Sequence, residues 1–331
     1  MQRAARAFWL REPGTGEIRD VALPDPGAHD VVVRTLRSAV SRGTESLVFG
    51  GHVPPGQYDA MRAPFQDGQF PGPVKYGYLN VGIVEEGPAV LVGREVFCLH
   101  PHQTAYVVPA SAVVPLPSGV PVERAVLAGI VETAVNALWD QPPLVGDRVT
   151  VVGAGVLGCS VARLASLVPG TEVTLVDVDP SRAGVAAALG IDFTLPDHAT
   201  GGRDLVVHTS ATSAGLQLSL DLLAAEGTAL ELSWYGDQPT TVQLGGSFHS
   251  GRLSLRASQV GRVAPARRDR RTTSQRLALA LDLLRDEAFD ALLTGESPFE
   301  SLPDVMPRLV SRELPALCHA VTYGGESTCS A

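Results

Sequence analysis

The stretch Arg148-Val149-Thr150-Val151-Val152-Gly153-Ala154-Gly155-Val156-Leu157-Gly158 decides how this chain is read. A β-branched run reads as a strand, and it leads directly into G-x-G-x-x-G and then into a helical pattern over 157–167. Each glycine has a separate task in that setting. The first permits the tight turn, the second lets a pyrophosphate approach the backbone, and the third lets the helix pack on the sheet. Unpaired N–H groups at the helix start then face the phosphates. Without flanking strand and helix the glycines would say little; with them, Gly153, Gly155, Val156, Leu157 and Gly158 are predicted to cradle a dinucleotide.

Outward from the turn the same texture repeats. Strands are predicted over 172–177, 204–208 and 228–232, with helices over 181–189 and 216–225, an alternation that specifies an α/β, doubly wound parallel sheet. Asp177 ends the second strand, nineteen residues after Gly158, where a carboxylate accepts hydrogen bonds from an adenosine ribose and repels a 2′-phosphate. The expected cofactor is therefore NAD. The competing role for Asp177 is a cap for the next helix, which Asp179 can also fill, and Arg182 lies either over the adenosine or on a solvated helix face. Ser210 and Trp234 follow the ends of two later strands, where open sheets bind ligands. Ser210 is assigned to the cofactor, and Trp234 either to substrate or to packing between domains.

The residues before about 120 read differently, with short apolar runs such as Val31-Val32-Val33 and Val81-Gly82-Ile83-Val84 set among Pro and Gly. They predict an irregular, many-stranded β domain. At 331 residues the chain has room for two domains, and 45% hydrophobic against 18% charged residues suits packed cores rather than disordered tracts. The formal charge of −9 disfavours nucleic acid and anionic membranes as partners. No apolar run approaches the roughly 18 residues of a membrane span, and the first residues lack a signal-peptide core, so the expectation is a cytoplasmic protein acting on a small molecule. The four cysteines, Cys98, Cys159, Cys318 and Cys329, are scattered, which predicts neither a disulfide framework nor a four-cysteine zinc lobe. Five arginines between Arg262 and Arg271 read as a solvated loop, with contact to an acidic ligand as the alternative.

Several motifs occur in order along the chain: Pro24-Asp25-Pro26-Gly27, Gly77 and Gly82 with Val84 and Gly87, Gly93-Arg94-Glu95-Val96, Glu132-Thr133-Ala134, and Gly146-Asp147-Arg148-Val149 entering the glycine turn. With these the chain resembles the medium-chain dehydrogenase/reductase superfamily over nearly its whole length. Ser41-Arg42-Gly43-Thr44-Glu45, Lys75-Tyr76-Gly77-Tyr78, His100-Pro101-His102-Gln103 and Ser258-Gln259-Val260-Gly261 resemble its bacteriochlorophyllide dehydrogenase-like branch. The resemblance implies a GroES-like β-rich catalytic domain over 1–130, a Rossmann NAD-binding domain over 131–261, a segment over 262–331 returning to the first domain, a substrate cleft between the domains, and a homodimer.

The departures from the zinc-dependent relatives carry as much information. Where those enzymes place a Cys before a Thr-Asp/Glu pair, this chain has Ser41, Arg42 and Gly43 before Thr44-Glu45; where they have the His of G-H-E, it has Tyr78; and their third ligand position falls on Gly129. The resemblance thus implies no catalytic zinc, an unusual site of His100, His102 and Glu45 being the one alternative. Side chains must then manage the proton that accompanies hydride transfer. Tyr78 either donates it or fills the vacated pocket, with Lys75 supporting it electrostatically. Glu45 is the candidate base, or the residue that orients Thr44. Arg42 binds an anionic group of the substrate or pairs with Glu45, His102 is assigned to substrate, and Thr133 to the nicotinamide side of the cofactor. The function implied is a zinc-independent oxidoreductase moving a hydride between NAD(H) and a small alcohol or ketone. The alternatives are reduction of an activated C=C or C=N bond, and an NAD(H)-binding protein without catalysis.

Overall fold

The computed structural model describes residues 3–324, so the loose tail expected over 324–331, with Cys329, lies outside the described residues apart from Gly324. The chain forms two compact units. One comprises the residues up to Gly129 together with those from Leu293 onward, and the other Ile130–Leu292.

In the second unit six strands stand side by side in the order Asp192–Thr194, Glu172–Val176, Arg148–Val152, Arg203–His208, Leu223–Glu231 and Ser254–Ala257, and every adjacent pair is parallel. By position in the chain this order is 3-2-1-4-5-6, and the direction of winding reverses between Arg148–Val152 and Arg203–His208, the place where doubly wound sheets bind ligands. The central strands are Val- and Leu-rich because both faces are covered: Val149, Val151, Leu175, Val206 and Val207 are buried. Helices Val156–Ser166, Arg182–Ala188 and Ser213–Asp221 cross between the strands.

Two local readings differ from the structure. The helix expected over 216–225 begins earlier, at Ser213, where the Thr212 side chain accepts the Gly215 N–H as a cap, and it ends at Asp221. Leu223, Ala224 and Ala225 continue the apolar spacing but belong to the next strand, in which Leu223 pairs with Arg203. The two edge strands, of three and four residues, were not legible, because neither contains a buried residue to give a two-residue period.

The segment from 262 to 292, expected to return to the first domain, packs within the second unit. Its anchor is Arg276, 2% exposed, in a helix Thr273–Leu283 that opens with a capping box between Thr272 and Gln275. The Arg276 guanidinium donates to Glu132 Oε1 at 3.0 Å and to the Asn136 amide oxygen and the Val260 carbonyl. A buried guanidinium has to spend its donors in this way, and the partners available to it are in this unit. The Arg262–Arg271 run is exposed apart from its interruption at Val263 and Ala264, as a solvated loop should be.

The first unit is built on strand Asp30–Val40, which pairs with Asn80–Glu86, with Ala105–Pro109 and with Cys318–Thr322, all antiparallel. The late strand Cys318–Thr322 thus returns to the front of the chain, His319 facing Val40 and Val321 facing Ser38. Val31, Val33, Val84, Tyr106 and Val108 of these strands make one buried cluster with Val96 and Cys98 of strand Glu95–Cys98 and Val113 of strand Val113–Pro115. A smaller sheet pairs Ala4–Glu12 with Thr15–Ala22. Among the described residues no helix is long and apolar enough to cross a membrane.

Candidate active site

The helix Arg42–Phe49 leaves strand Asp30–Val40 through Ser41, whose backbone is extended (φ −80°, ψ 91°). This geometry brings Glu45 back under its own helix start: Glu45 Oε1 accepts the Ser41 N–H at 2.7 Å. Glu45 is 3% exposed, and a carboxylate so enclosed needs further partners. His102 supplies one, its Nε2 lying 2.9 Å from Glu45 Oε2. The chain of bonds continues from His102 Nδ1 to Ser38 Oγ at 2.7 Å and from Ser38 Oγ to the Tyr323 hydroxyl at 2.8 Å. Four side chains, Glu45 from the helix, Ser38 from a strand, and His102 and Tyr323 from loops, are joined in one line.

Tyr78 lies beside this line. Its hydroxyl bonds with the side chains of Ser41 and Thr44, while burial and the nearby Glu45 charge push the phenol up to about 12, the two hydroxyl bonds opposing that rise. The ring of Tyr76 meets it edge-on at 6.1 Å. Tyr78 is thus a neutral phenol over a wide pH range, bonded to the hydroxyl of the Thr-Glu pair. Arg42 is half-buried at the first position of the helix.

Two sequence assignments are redirected by this geometry. His102, assigned to substrate, has both ring nitrogens engaged inside the unit and 1% exposure, so it reaches Glu45 and Ser38 instead. Lys75, expected to support Tyr78, donates from Nζ to Gln103 Oε1 at 2.9 Å, and burial lowers its ammonium, with Asp67 partly offsetting. The charge acting on the phenol is that of Glu45.

The positions expected to have lost zinc ligands are occupied in other ways. A Cβ built on Gly129 would stand 2.7 Å from Leu79 Cδ2, so no thiol-bearing side chain fits there without moving Leu79. Tyr78 uses its oxygen on Ser41 and Thr44. His100 stacks on Tyr106 at 3.8 Å and on Phe65 at 5.6 Å, and burial drives its imidazole down to about 3, the bond to the Pro101 carbonyl notwithstanding. Cys98, Cys159 and Cys318 are buried free thiols, each raised to about 12 by burial. Among the described residues no group of three or more His, Cys, Asp or Glu side chains is placed to hold a metal ion. As placed, Gly129, Tyr78 and His100 are each closed off or engaged within the protein.

The second unit carries the glycine turn at its winding reversal. Gly153 takes φ +110°, a conformation that needs glycine, and Gly158 is the point of closest approach, where an added Cβ would stand 1.9 Å from the Gly153 carbonyl oxygen. A Cβ on Gly155 would meet nothing within 4 Å, which leaves an open approach to the backbone at the start of helix Val156–Ser166. Val156 is buried under the turn and Leu157 half-buried beside it. Asp177 reaches into the turn: Oδ2 accepts the Ala154 N–H at 2.6 Å, and Oδ1 accepts the Asp179 N–H at 2.9 Å. Arg182 pairs with Asp179 at 3.2 Å. The cradle fits the diphosphate and ribose of a dinucleotide.

Thr133 is half-buried in helix Ala128–Asp140, and Trp234 half-buried after strand Leu223–Glu231. Glu132, beside Thr133, belongs to the Arg276 anchor; burial raises its carboxyl, and Arg276 opposes the rise. Ser210 borders the turn, since a Cβ on Gly153 would be 2.8 Å from its backbone N. Behind it lies a cluster that sequence reading missed. His208, fully buried, faces Glu231 through Nδ1 at 2.8 Å and Ser210 through Nε2 at 2.7 Å, and Tyr235 donates to Glu231 at 2.8 Å. Likewise Ser38 and Tyr323 carried no signal, being one serine in a strand and one aromatic beyond another.

No family model matches the chain. The curated relatives include L-threonine 3-dehydrogenase of Anaeromyxobacter dehalogenans, 27% identical over 208 residues, 54% of this chain and 58% of the relative. The chain spans between a third and three fifths of the length of the first such relatives, which at 34%, 58% and 59% leaves much of each unmatched. Among solved structures, L-idonate 5-dehydrogenase from Escherichia coli K-12 matches with TM-score 0.80 at 16% identity, covering 97% of this chain and 99% of its own. A protein of Sinorhizobium meliloti 1021 assigned as a zinc-binding dehydrogenase and bound to NADP matches with TM-score 0.77 at 17% identity, covering 97% and 100%. The fold is accordingly that of these dehydrogenases, a GroES-like β-rich domain with a Rossmann domain, and the Sinorhizobium meliloti protein among them is described as zinc-binding.

Proposed function

We propose that this chain is an oxidoreductase that exchanges a hydride between NAD(H) and a small alcohol or ketone, in a zinc-lacking branch of the medium-chain dehydrogenases. The observation that carries the reading is the glycine turn braced by Asp177 at the winding reversal of a 3-2-1-4-5-6 sheet. Gly153 to Gly158 would hold the pyrophosphate, and Asp177 the adenosine ribose, at the expense of a 2′-phosphate. Bound NADH supplies a hydride to a carbonyl carbon, or NAD accepts one from a carbinol.

This chain's own task is the proton. Tyr78, kept neutral by burial and by Glu45, is built to donate to a carbonyl oxygen as negative charge develops there. Donation leaves a phenolate that must regain its proton from water, and in the reverse direction that phenolate accepts the proton of the carbinol. Thr44 orients the phenol from below, and Glu45 with His102 holds the charge that keeps it protonated. Arg42 and Trp234 are assigned to substrate, and Thr133 and Ser210 to the cofactor. The hydroxylated substrates named for the relatives, threonine and idonate, define the class to be tried first, as the corresponding ketones. A cytoplasmic homodimer belongs to the same reading.

The test is direct. Fluorescence titration with NADH and NADPH, elemental analysis of the purified protein, and NADH oxidation in the presence of small ketones are measured together. Tight NADH binding, less than stoichiometric zinc and ketone-dependent turnover are expected; one zinc per chain required for turnover would refute the metal-free chemistry.

A further inference from the structure

His208, Glu231 and Ser210 stand at the carboxyl ends of two adjacent parallel strands, with His208 in register with both Val152 and Glu231. Their hydrogen bonds can be resolved by counting donors. Glu231 is an acceptor: Oε1 takes the Ser233 N–H at 2.6 Å, and Oε2 takes the Tyr235 hydroxyl. Burial would raise this carboxyl, but the bond and charge of His208, with Ser233 and Tyr235, bring it below the ordinary value, so it is ionised at neutral pH. His208 Nδ1, 2.8 Å from Oε2 and 3.3 Å from the Ser233 and Tyr235 hydroxyls, turns its proton toward this carboxylate, and whenever the ring is neutral Nε2 keeps its lone pair.

Ser210 has one proton, and it goes to His208 Nε2. Thr212 Oγ1 accepts the Gly215 N–H, so its own proton is free for Ser210 Oγ at 3.0 Å. Ser210 Oγ is left with an unused lone pair and no proton to offer. The backbone is set to hold it: Ala211 takes φ +53°, uncommon for a residue other than glycine, and its N–H is tied to Ser233 Oγ at 3.0 Å. Ser210 is half-buried and borders Gly153 at the winding reversal.

We propose that Glu231, acting through His208, fixes Ser210 Oγ as a hydrogen-bond acceptor for a donor on the nicotinamide-ribose half of the dinucleotide, a ribose hydroxyl or the carboxamide N–H. This inference rests on the reading of the unit as a dinucleotide site. Ser210 would be the contact, and His208 and Glu231 positioning residues that decide its polarity. A phosphate oxygen, itself an acceptor, would be refused there.

Two measurements test it. In 15N-labelled protein the His208 ring is expected to show a protonated Nδ1 and an unprotonated Nε2, a signature that does not depend on any ligand; a protonated Nε2 overturns the proposal. Ser210→Ala deletes the acceptor, and Glu231→Gln turns an amide donor toward His208, which reverses the tautomer and makes Ser210 a donor. Both are expected to weaken NADH binding by about fivefold to tenfold, the worth of one hydrogen bond, and to leave AMP, which fills only the adenosine half, within about twofold. Equal losses for NADH and AMP, or no loss for Ser210→Ala, whose change is the milder for folding, overturn it. Failure of the unaltered protein to bind NADH while His208 shows the expected tautomer overturns the dinucleotide reading and, with it, the assigned ligand.

Discussion

Asp177 accepts a 2.6 Å hydrogen bond from the Ala154 N–H, so the carboxylate assigned to a ribose also braces the turn meant for the pyrophosphate. The two tasks share one residue because the strand Glu172–Val176 ends beside the turn, Val152 and Val176 being in register. Asp177→Ser keeps a short acceptor for the turn and removes the charge that would oppose a 2′-phosphate. Its ratio of NADPH to NADH affinity is expected to rise by about tenfold or more, read by fluorescence titration. Tighter NADPH than NADH binding by the unaltered protein would contradict the role given to Asp177.

The glycines of the turn separate stability from binding. Gly155→Ala adds a methyl into open space and is expected to fold with nearly unchanged Tm while weakening NADH by about tenfold, since the methyl occupies the approach of the pyrophosphate. Gly158→Ala drives a Cβ to 1.9 Å from a backbone oxygen and is expected to cost about 3 kcal/mol or more, read by urea unfolding. Equal stability of the two variants would mean that the turn is looser than described.

Sequence reading reached the turn, Asp177 and the central strands because their signals are local: glycines at fixed spacing and buried β-branched runs. It singled out Thr44, Glu45 and Tyr78 from their motifs, and the fold brings these three side chains together. It misdirected Lys75 and His102, because the direction a side chain takes out of a loop depends on partners as distant as Gln103 and Ser38. The His208–Glu231–Ser210 chain was invisible for a related reason. Its members fall 23 and 2 residues apart and meet only when parallel strands set their register.

Glu45 and His102 form an enclosed pair, 2.9 Å apart, and removing one member strands the other. His102→Ala is expected to lose about 3 kcal/mol of stability, whereas His102→Gln, which can still donate to Glu45, is expected to retain most of it. Urea unfolding of both checks this. Identical losses would point to packing of the ring rather than to the bond with the carboxylate.

Tyr78→Phe removes the proposed proton donor while keeping the ring against Tyr76. Ketone reduction is expected to fall by about 10²-fold or more in kcat, with smaller change in KM. The sign of the pH dependence follows from the raised phenol. The active form is the protonated one, so the step that uses Tyr78 should be level through neutral pH and decline only as pH climbs toward about 12. A decline centred near neutral pH in the unaltered enzyme, lost in Tyr78→Phe, would mean that the phenol is not held neutral as the geometry requires.

Arg276 and Glu132 supply the strongest test of why residues 262–292 stay with the second unit. The guanidinium is almost fully buried and Glu132 is 3% exposed, so Arg276→Met leaves a carboxyl with no compensating charge, a loss expected to be about 3–5 kcal/mol. Burial already raises the Glu132 carboxyl above its unfolded value, Arg276 holding that rise in check. A raised folded pKa means that the native state binds the proton more tightly, so its contribution is full below the unfolded pKa, near 4.5, and is lost as pH rises through the folded one. Without Arg276 the folded pKa moves further up, and the loss continues to a higher pH. Arg276→Met should therefore be less destabilised at pH 5 than at pH 8, and adding Glu132→Gln should flatten that difference, because the neutral amide has no proton to bind. Urea unfolding of the single and double variants at both pH values decides it; a pH-independent loss would assign the anchor to the Asn136 and Val260 bonds instead of the ion pair.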